Sequence, residues 1–356
     1  MASGRALIAM SGGVDSAAAA ALMIDRGFEC VGATMKLLAG GGRCCSLEDI
    51  NDARLAAYHL GIPHYVLNFT EAFIRHVIEP FIAVYESGGT PNPCIECNRH
   101  LKFKLLAGRA RQLEAKTLVT GHYAIIEKDG DRWLLKKGRD EKKDQSYVLY
   151  TMSQEELAFT SLPLGNMIKS EVREFAVSLG IENAKKPESQ DICFVSPNDS
   201  GGPKYDYGSF IENWTGKKSK EGAIVGLDGK ILGRHRGLIR YTPGQRRGAG
   251  VAANIPLYVV KKSAADNTLT LGPESSLYSK RFLVTRLNLI ACDSIPRPLR
   301  LRVKTRYLQR EQWACVEQTE EQSARVEFEE AQRSITAGQS AVFYDGNTVV
   351  GGGIIV

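Results

Sequence analysis

No apolar run in this sequence approaches the ~20 residues that a bilayer-spanning helix needs. The opening "MASGRALIAMSGG" holds only the short apolar stretch "ALIAM" before glycines interrupt it, so no signal peptide is read there. The expected setting is the cytoplasm, without a membrane. In a reducing compartment the eight cysteines, at 30, 44, 45, 94, 97, 193, 292 and 315, are poor candidates for a disulfide framework, which leaves metal or redox chemistry. A second Cys-x-x-Cys is also missing: Cys94 and Cys97 of "TPNPCIECNRH" have no matching pair, although chelating pairs usually come in twos. There is no Walker lysine and no G-x-G-x-x-G, which argues against a P-loop NTPase and a Rossmann dehydrogenase. Internal repeats and low-complexity tracts are absent.

What is there suits a soluble chain of two or three domains: 356 residues, 43% hydrophobic and 24% charged, with a net charge of +6. Through about residue 190, short apolar runs alternate with helical patterns. "ALIAM", "CVGATMKLL", "HYVLNF" and "TLVTGHYA" read as strands. "VDSAAAAALMIDRG", "LEDINDARLAAYHLG", "EAFIRHVIEPFIAVYESG" and "NRHLKFKLLAGRARQLEA" read as helices. The expectation is α/β: an N-terminal parallel sheet with helices on both faces over 1–200, its ligand at the carboxyl ends of the strands. After the polar bridge "SPNDSGGPKYDYG", short strands and hairpin turns such as "DGK" and "DGN" take over. They point to a small β-rich middle domain over 203–275 and a C-terminal β-barrel over 281–356.

The strongest local feature is "ALIAMSGGVDSAAAA". A buried strand ends in Ser11-Gly12-Gly13 and a helix opens at Val14-Asp15-Ser16. Glycines let a backbone approach an anion closely, and the amides of the loop and first helical turn point at it. The pattern SGGxDS resembles the signature of the PP-loop ATP pyrophosphatases, of adenine nucleotide α-hydrolase-like fold. That resemblance implies ATP cleaved between its α and β phosphates to adenylate a substrate. "TPNPCIECNRHLKF", "TGHYA", "KKDQSYVLY", "ESQDICFV" and "GRHRGLIRYTPGQRRGAG" follow in this order. With them the whole chain resembles the tRNA-specific 2-thiouridylases, the MnmA-type family.

The resemblance implies ATP, with Mg²⁺, on Ala9, Met10, Ser11, Gly12, Gly13, Val14, Asp15 and Ser16, with adenine near Met35 and Gly121. Asp15 could equally bind the metal, orient the loop or cap the helix. It implies two catalytic thiols, Cys97 as nucleophile and Cys193 as carrier of a persulfide, and adenylation of the 2-oxygen of a wobble uridine. Sulfur would come from a sulfur carrier or a cysteine-desulfurase-derived donor. Where relatives carry an aspartate three residues before the catalytic cysteine, this chain has Cys94. Three thiols, Cys94, Cys97 and Cys193, could hold a 4Fe-4S cluster with one iron open to sulfide, so persulfide relay and cluster-bound sulfide both stay open. A zinc site would want a fourth protein ligand. Cys44 and Cys45 are either an incidental pair or a sulfur or metal store.

For tRNA, entering by its anticodon stem-loop, the resemblance implies contacts from Asn92, Pro93 and Cys94 around a flipped base, and from His122, Lys143, Asp144, Gln145, Arg306, Tyr307 and Gln339. His122 reads equally as a hydrogen-bonded structural histidine. From the residues alone, "RPLRLRVKTRYLQR" carries six cations and no acid. Read as a strand, it sets Arg300, Arg302, Lys304 and Arg306 on one face, ~6.6–6.8 Å apart, a spacing that can follow phosphates. The alternatives are a PP-loop thiolase or ligase acting on a different base, and a non-catalytic tRNA-binding iron–sulfur protein.

Overall fold

The computed structural model describes residues 3–38, 47–181, 192–195 and 206–356. Cys44 and Cys45, most of the bridge after 195, and the part of "ESQDICFV" before Ile192 lie outside the described residues.

Strand β1 (Arg5–Ala9) buries Ala6, Leu7 and Ile8. It lies between β2 (Glu29–Lys36) and β4 (Thr117–Val119), with β3 (His64–Asn68) and the short strand Thr160–Ser161 at the edges. All four pairings are parallel. Helix α1 (Val14–Asp25) follows β1 directly. Its buried run Ala17–Ala21 combines high helix propensity with side chains small enough for close packing. It stops at Gly27, where φ is +80° and the amide reaches Ile24 O at 2.8 Å. Helix α2 (Leu47–His59) precedes β3. Helix α3 then runs Thr70–Glu86 with wide π-type turns over Ile74–Ile78, and α4 runs Pro93–Gln112 with such turns over Cys97–Leu106.

Two boundaries differ from expectation. Met10 belongs to the loop rather than to β1, and β4 ends at Val119. Beyond that point the backbone passes over the start of α1, and at Gly121 it comes so close that a Cβ would lie 2.8 Å from the Asp15 carbonyl carbon. A strand could not continue there.

The central sheet runs in the order Tyr258–Ser263, Thr268–Gly272, Gly222–Val225, Ile231–His235. The C-terminal strands Tyr278–Leu289, Ser323–Arg333, Gln312–Glu320, Leu299–Lys304, Ser340–Asp345 and Thr348–Ile355 close into a barrel, because the first also pairs with the last. The hairpin Ala124–Asp129/Arg132–Lys137 of the N-terminal unit joins this sheet through Lys136 and Thr348. The buried helix Ser146–Leu149 docks beside it: Tyr147 Oη donates to Ser340 O at 2.8 Å, and Asn288 Nδ2 donates to Tyr150 O at 2.7 Å. The barrel is therefore fastened to the segment that follows "KKDQ".

Candidate active site

The loop Met10–Gly13 is shaped by its own polar groups. Ser16 Oγ donates to Gly13 O at 2.9 Å and accepts from Ser11 N at 3.2 Å, and Thr34 Oγ1 donates to Met10 O at 2.8 Å. Gly12 takes φ +77°, and a Cβ there would stand 2.4 Å from Asp49 O, so only glycine fits. Gly13 occupies the N-cap of α1 and, having no side chain, makes no cap hydrogen bond to the first turn. A helix start with glycine at its cap beside a tight glycine loop fits the phosphates of a nucleotide. Ala9 and Met10 lie at the end of β1, Met35 is buried near the end of β2, and Gly121 follows β4. All of them sit at the carboxyl ends of the strands.

Asp15 is held by two side chains. Lys169 Nζ donates to both carboxylate oxygens, at 2.7 and 2.8 Å, and Tyr123 Oη donates at 2.7 Å. The N-cap is Gly13, so Asp15 is no cap; its carboxylate anchors the loop to the ammonium of the buried Lys169. Sequence reasoning missed Lys169, which comes from a helix 154 residues away and carries no motif of its own. Tyr123 was visible in "TGHYA" but without a role.

The motif Lys143-Asp144-Gln145 supports this arrangement from behind. Buried Asp144 accepts from Gly138 N, Ser146 N and Ser146 Oγ, at 3.0, 3.0 and 2.8 Å. Gln145 Oε1 accepts from Tyr123 N at 3.0 Å, and its own amide reaches Tyr123 O at 2.8 Å. Lys143 is half-buried. His122 is buried, with Nδ1 2.7 Å from Thr120 Oγ1, Nε2 3.4 Å from Lys102 Nζ, and its ring tilted against Phe103. Burial first, then the Lys102 charge, holds its pKa well below the usual imidazole range.

The cysteines lie on α4 and on a turn. Pro93 takes the first helical position, which its fixed φ favours, and buries its ring. Cys94 is exposed and Cys97 half-buried where the π-type turns begin. Cys193, also half-buried, sits in the turn Ile192–Val195. Its neighbour Phe194 packs edge-on against Phe73 and Phe81 of α3, with centroids 5.7 and 5.1 Å away. Cys97 and Cys193 each pack against the large apolar cluster that extends from Leu7 of β1 to Val349 of the barrel. Among the described residues, no three Cys, His, Asp or Glu side chains gather as a metal site requires, so Cys94, Cys97 and Cys193 are not arranged here as ligands of a cluster.

The connection Ser87–Asn92 into α4 is held from outside its own domain. Thr90 N donates to Ala337 O at 2.9 Å, and Gln339 Nε2 donates to Thr90 O and Pro91 O at 2.9 and 3.3 Å. A cavity of about 200 Å³ beside it is lined by Asn92, Pro93, Glu96, His100, His76 and Arg286, among others.

The basic strand is corrected. It ends at Lys304, and its acids are Glu311, which stands just past the basic stretch, and Glu329 of the strand Ser323–Arg333. Arg300 pairs with Glu329 at 2.6 Å and Arg302 with Glu311 at 3.2 Å, and both guanidinium groups stack on Trp313. Lys304 Nζ lies 5.9 and 5.7 Å from the Tyr147 and Tyr307 rings. Arg306 turns inward and donates to Pro243 O, Ser334 O and Thr336 Oγ1, joining central domain to barrel. Tyr307 is half-buried, 6.1 Å from Tyr147. In the central domain Tyr241 and His235 are buried and Arg240 pairs with Asp206 and Glu212. Arg236, Arg246 and Arg247 stay exposed.

Comparison with known proteins agrees with these parts. Residues 4–197 match the family model described as tRNA methyl transferase HUP domain. Residues 208–273 match its PRC-barrel domain, and 279–355 the aminomethyltransferase beta-barrel domain. The tRNA-specific 2-thiouridylase MnmA of Acetivibrio thermocellus is 47% identical over 99% of both chains. The proteins of that name from Clostridioides difficile and Halothermothrix orenii are 44% and 43% identical, each over 99% of this chain and 98% of theirs. No described helix is long and apolar enough to cross a membrane. Identities of 43–47% over nearly the whole chain lead to one assignment: the chain belongs to the tRNA-specific 2-thiouridylase family.

Proposed function

We propose that this protein is an ATP-dependent sulfurtransferase that converts the wobble uridine of tRNA to 2-thiouridine in the cytoplasm. The observation that carries the reading is the glycine loop between β1 and α1, with Gly12 at φ +77° and Gly13 at the N-cap, in a chain that also seats half-buried Cys97 and Cys193 against its main apolar cluster. ATP with Mg²⁺ binds the loop Ala9–Ser16, with Met35 and Gly121 toward the adenine. The uracil 2-oxygen attacks the α-phosphorus and pyrophosphate leaves, so that oxygen becomes part of a good leaving group.

The terminal sulfur of a Cys193 persulfide then attacks carbon 2. The Cys97 thiolate attacks the Cys193 sulfur, the inner S–S bond breaks, and AMP departs with the former uracil oxygen. The products are 2-thiouridine, AMP and a Cys97–Cys193 disulfide, which an external dithiol must reduce before the next turnover. Asn92, Pro93 and Cys94 border the target base. Lys143, Gln145, Tyr307 and Gln339 approach the anticodon stem-loop, while buried His122 and Asp144 and half-buried Arg306 shape the surface from beneath. The exposed Arg246 and Arg247 extend the phosphate contacts. A sulfide held on a cluster by Cys94, Cys97 and Cys193 is the second reading. The lone Cys-x-x-Cys favours it, but the three thiols would have to gather first.

The test is to supply tRNA, ATP and a persulfide donor to the reduced protein and measure AMP and thiolated uridine. Equal yields of the two support the reading, and thiolation without AMP overturns it.

A further inference from the structure

The residue that the proposed mechanism leaves unused, and that the sequence did not single out, is Lys262, on the strand Tyr258–Ser263 of the central domain. It is 8% exposed. Its Nζ donates to Gly89 O at 3.0 Å and lies 5.5 Å from the Tyr85 ring centroid. Among the described residues no carboxylate pairs with it. A lysine buried without an acid costs stability and persists only where its hydrogen bond serves something else.

The position of that bond is informative. Gly88 and Gly89 form the exit from α3. Gly88 has φ +88°, and a Cβ on Gly89 would lie 2.8 Å from Val84 Cγ1, so neither tolerates a side chain. The next four backbone groups reach α4, the helix of Cys94 and Cys97. Lys262 fixes the first carbonyl of this segment from the central domain, as Gln339 fixes the next two from the barrel.

We propose that Lys262 is a positioning residue for sulfur transfer, holding the Gly89 carbonyl so that the segment leading to Cys97 keeps the geometry its thiol needs. The proposal rests on the reading above that Cys97 completes the transfer. Lys262 touches neither nucleotide loop nor cysteine, so ATP binding and adenylation do not depend on it.

The bond is charge-assisted only while the amine is protonated. Burial brings the Lys262 pKa down to about 8. The groups around it are Tyr85, whose own pKa is raised by burial and then by Tyr207, and uncharged Leu269 opposite on the neighbouring strand. Below about pH 8 the ammonium donates strongly, and above it a neutral amine donates weakly.

The experiment compares full-length wild type with Lys262→Met, which keeps the apolar stem, Lys262→Arg, and the exposed neighbour Lys261→Met as control. The expected kcat for thiolation in Lys262→Met is about tenfold lower at pH 7. Its KM for ATP is unchanged, its melting temperature is not lowered, and Lys262→Arg recovers part of the rate. The ratio of wild-type to Lys262→Met rates should shrink as pH rises through 8, while Lys261→Met matches wild type throughout. A wild-type kcat in Lys262→Met, or a ratio flat with pH, overturns the proposal. Amide hydrogen exchange over 88–97 separates this from the functional reading. If wild type makes no thiouridine, that reading fails, but faster exchange in Lys262→Met still upholds the lysine's hold on the segment, and unchanged exchange overturns it.

Discussion

Gln339 Nε2, on the barrel, lies 2.9 Å from the carbonyl oxygen of Thr90, 249 residues earlier and three residues before the helix of Cys94 and Cys97. The same amide reaches Pro91 O, and Ala337 O takes the Thr90 amide. The barrel therefore sets where the cysteine helix begins. Gln339→Leu should cost about 1–2 kcal/mol of stability, from carbonyls left without their donor, and lower thiolation more than it lowers adenylation. Denaturant unfolding and AMP-to-thiouridine ratios measure the two effects.

The thiols separate chemistry from binding. Cys97→Ala and Cys193→Ala should each abolish thiolation yet shift tRNA affinity by less than about twofold, because phosphate contacts dominate that affinity. Exposed Cys94, in no metal-type grouping among the described residues, should tolerate alanine with most activity retained and no change in the anaerobic visible spectrum. Filter binding and product analysis are sufficient for all three.

Lys169→Met removes the ammonium that holds Asp15 and leaves a partly buried carboxylate with the Tyr123 hydroxyl. The expected loss is about 2–4 kcal/mol of stability, toward the low end because Asp15 keeps some solvent access, with a raised KM for ATP and little effect on tRNA affinity. Calorimetry and the ATP dependence of AMP formation check this.

His122 gives a pH signature. Its folded-state pKa is lowered by burial and by Lys102, so the unfolded chain binds a proton more readily. Stability is unaffected above the unfolded value of ~6.5 and is lost as pH falls below it, by up to ~1.4 kcal/mol per pH unit, until the folded group also titrates. His122→Gln should flatten this slope between pH 7 and 5, measured as the difference between the two unfolding curves.

Arg246→Glu and Arg247→Glu should weaken tRNA binding and reduce the slope of log K against log salt by about one per lost contact. Arg300→Ala should do much less, since Glu329 already engages that guanidinium.

The parallel sheet and the glycine loop after its first strand were legible because burial periodicity and glycine placement are local properties: Ala6, Leu7 and Ile8 ahead of Gly12 and Gly13 need no long-range information. The family motifs marked Cys97 and Cys193 but said nothing of the aromatic wedge of Phe194 that seats one of them. What stayed hidden depends on pairing between distant segments. Arg300 looked like part of an open cationic face because Glu329 lies 29 residues on, Arg302 because Glu311 stands just past the stretch and turns back onto it, and Arg306 because a strand end at Lys304 carries no marker. Lys169 and Lys262 were invisible for the same reason, since a lysine earns its role only from what it is buried against.

The most direct measurement is a single turnover of persulfide-loaded protein with ATP and tRNA under anaerobic conditions, followed by intact and peptide mass analysis. The account predicts one thiouridine and one AMP per protein, together with a new Cys97–Cys193 disulfide. Full thiolation with both cysteines still reduced, or the same yield from Cys97→Ala, would contradict it.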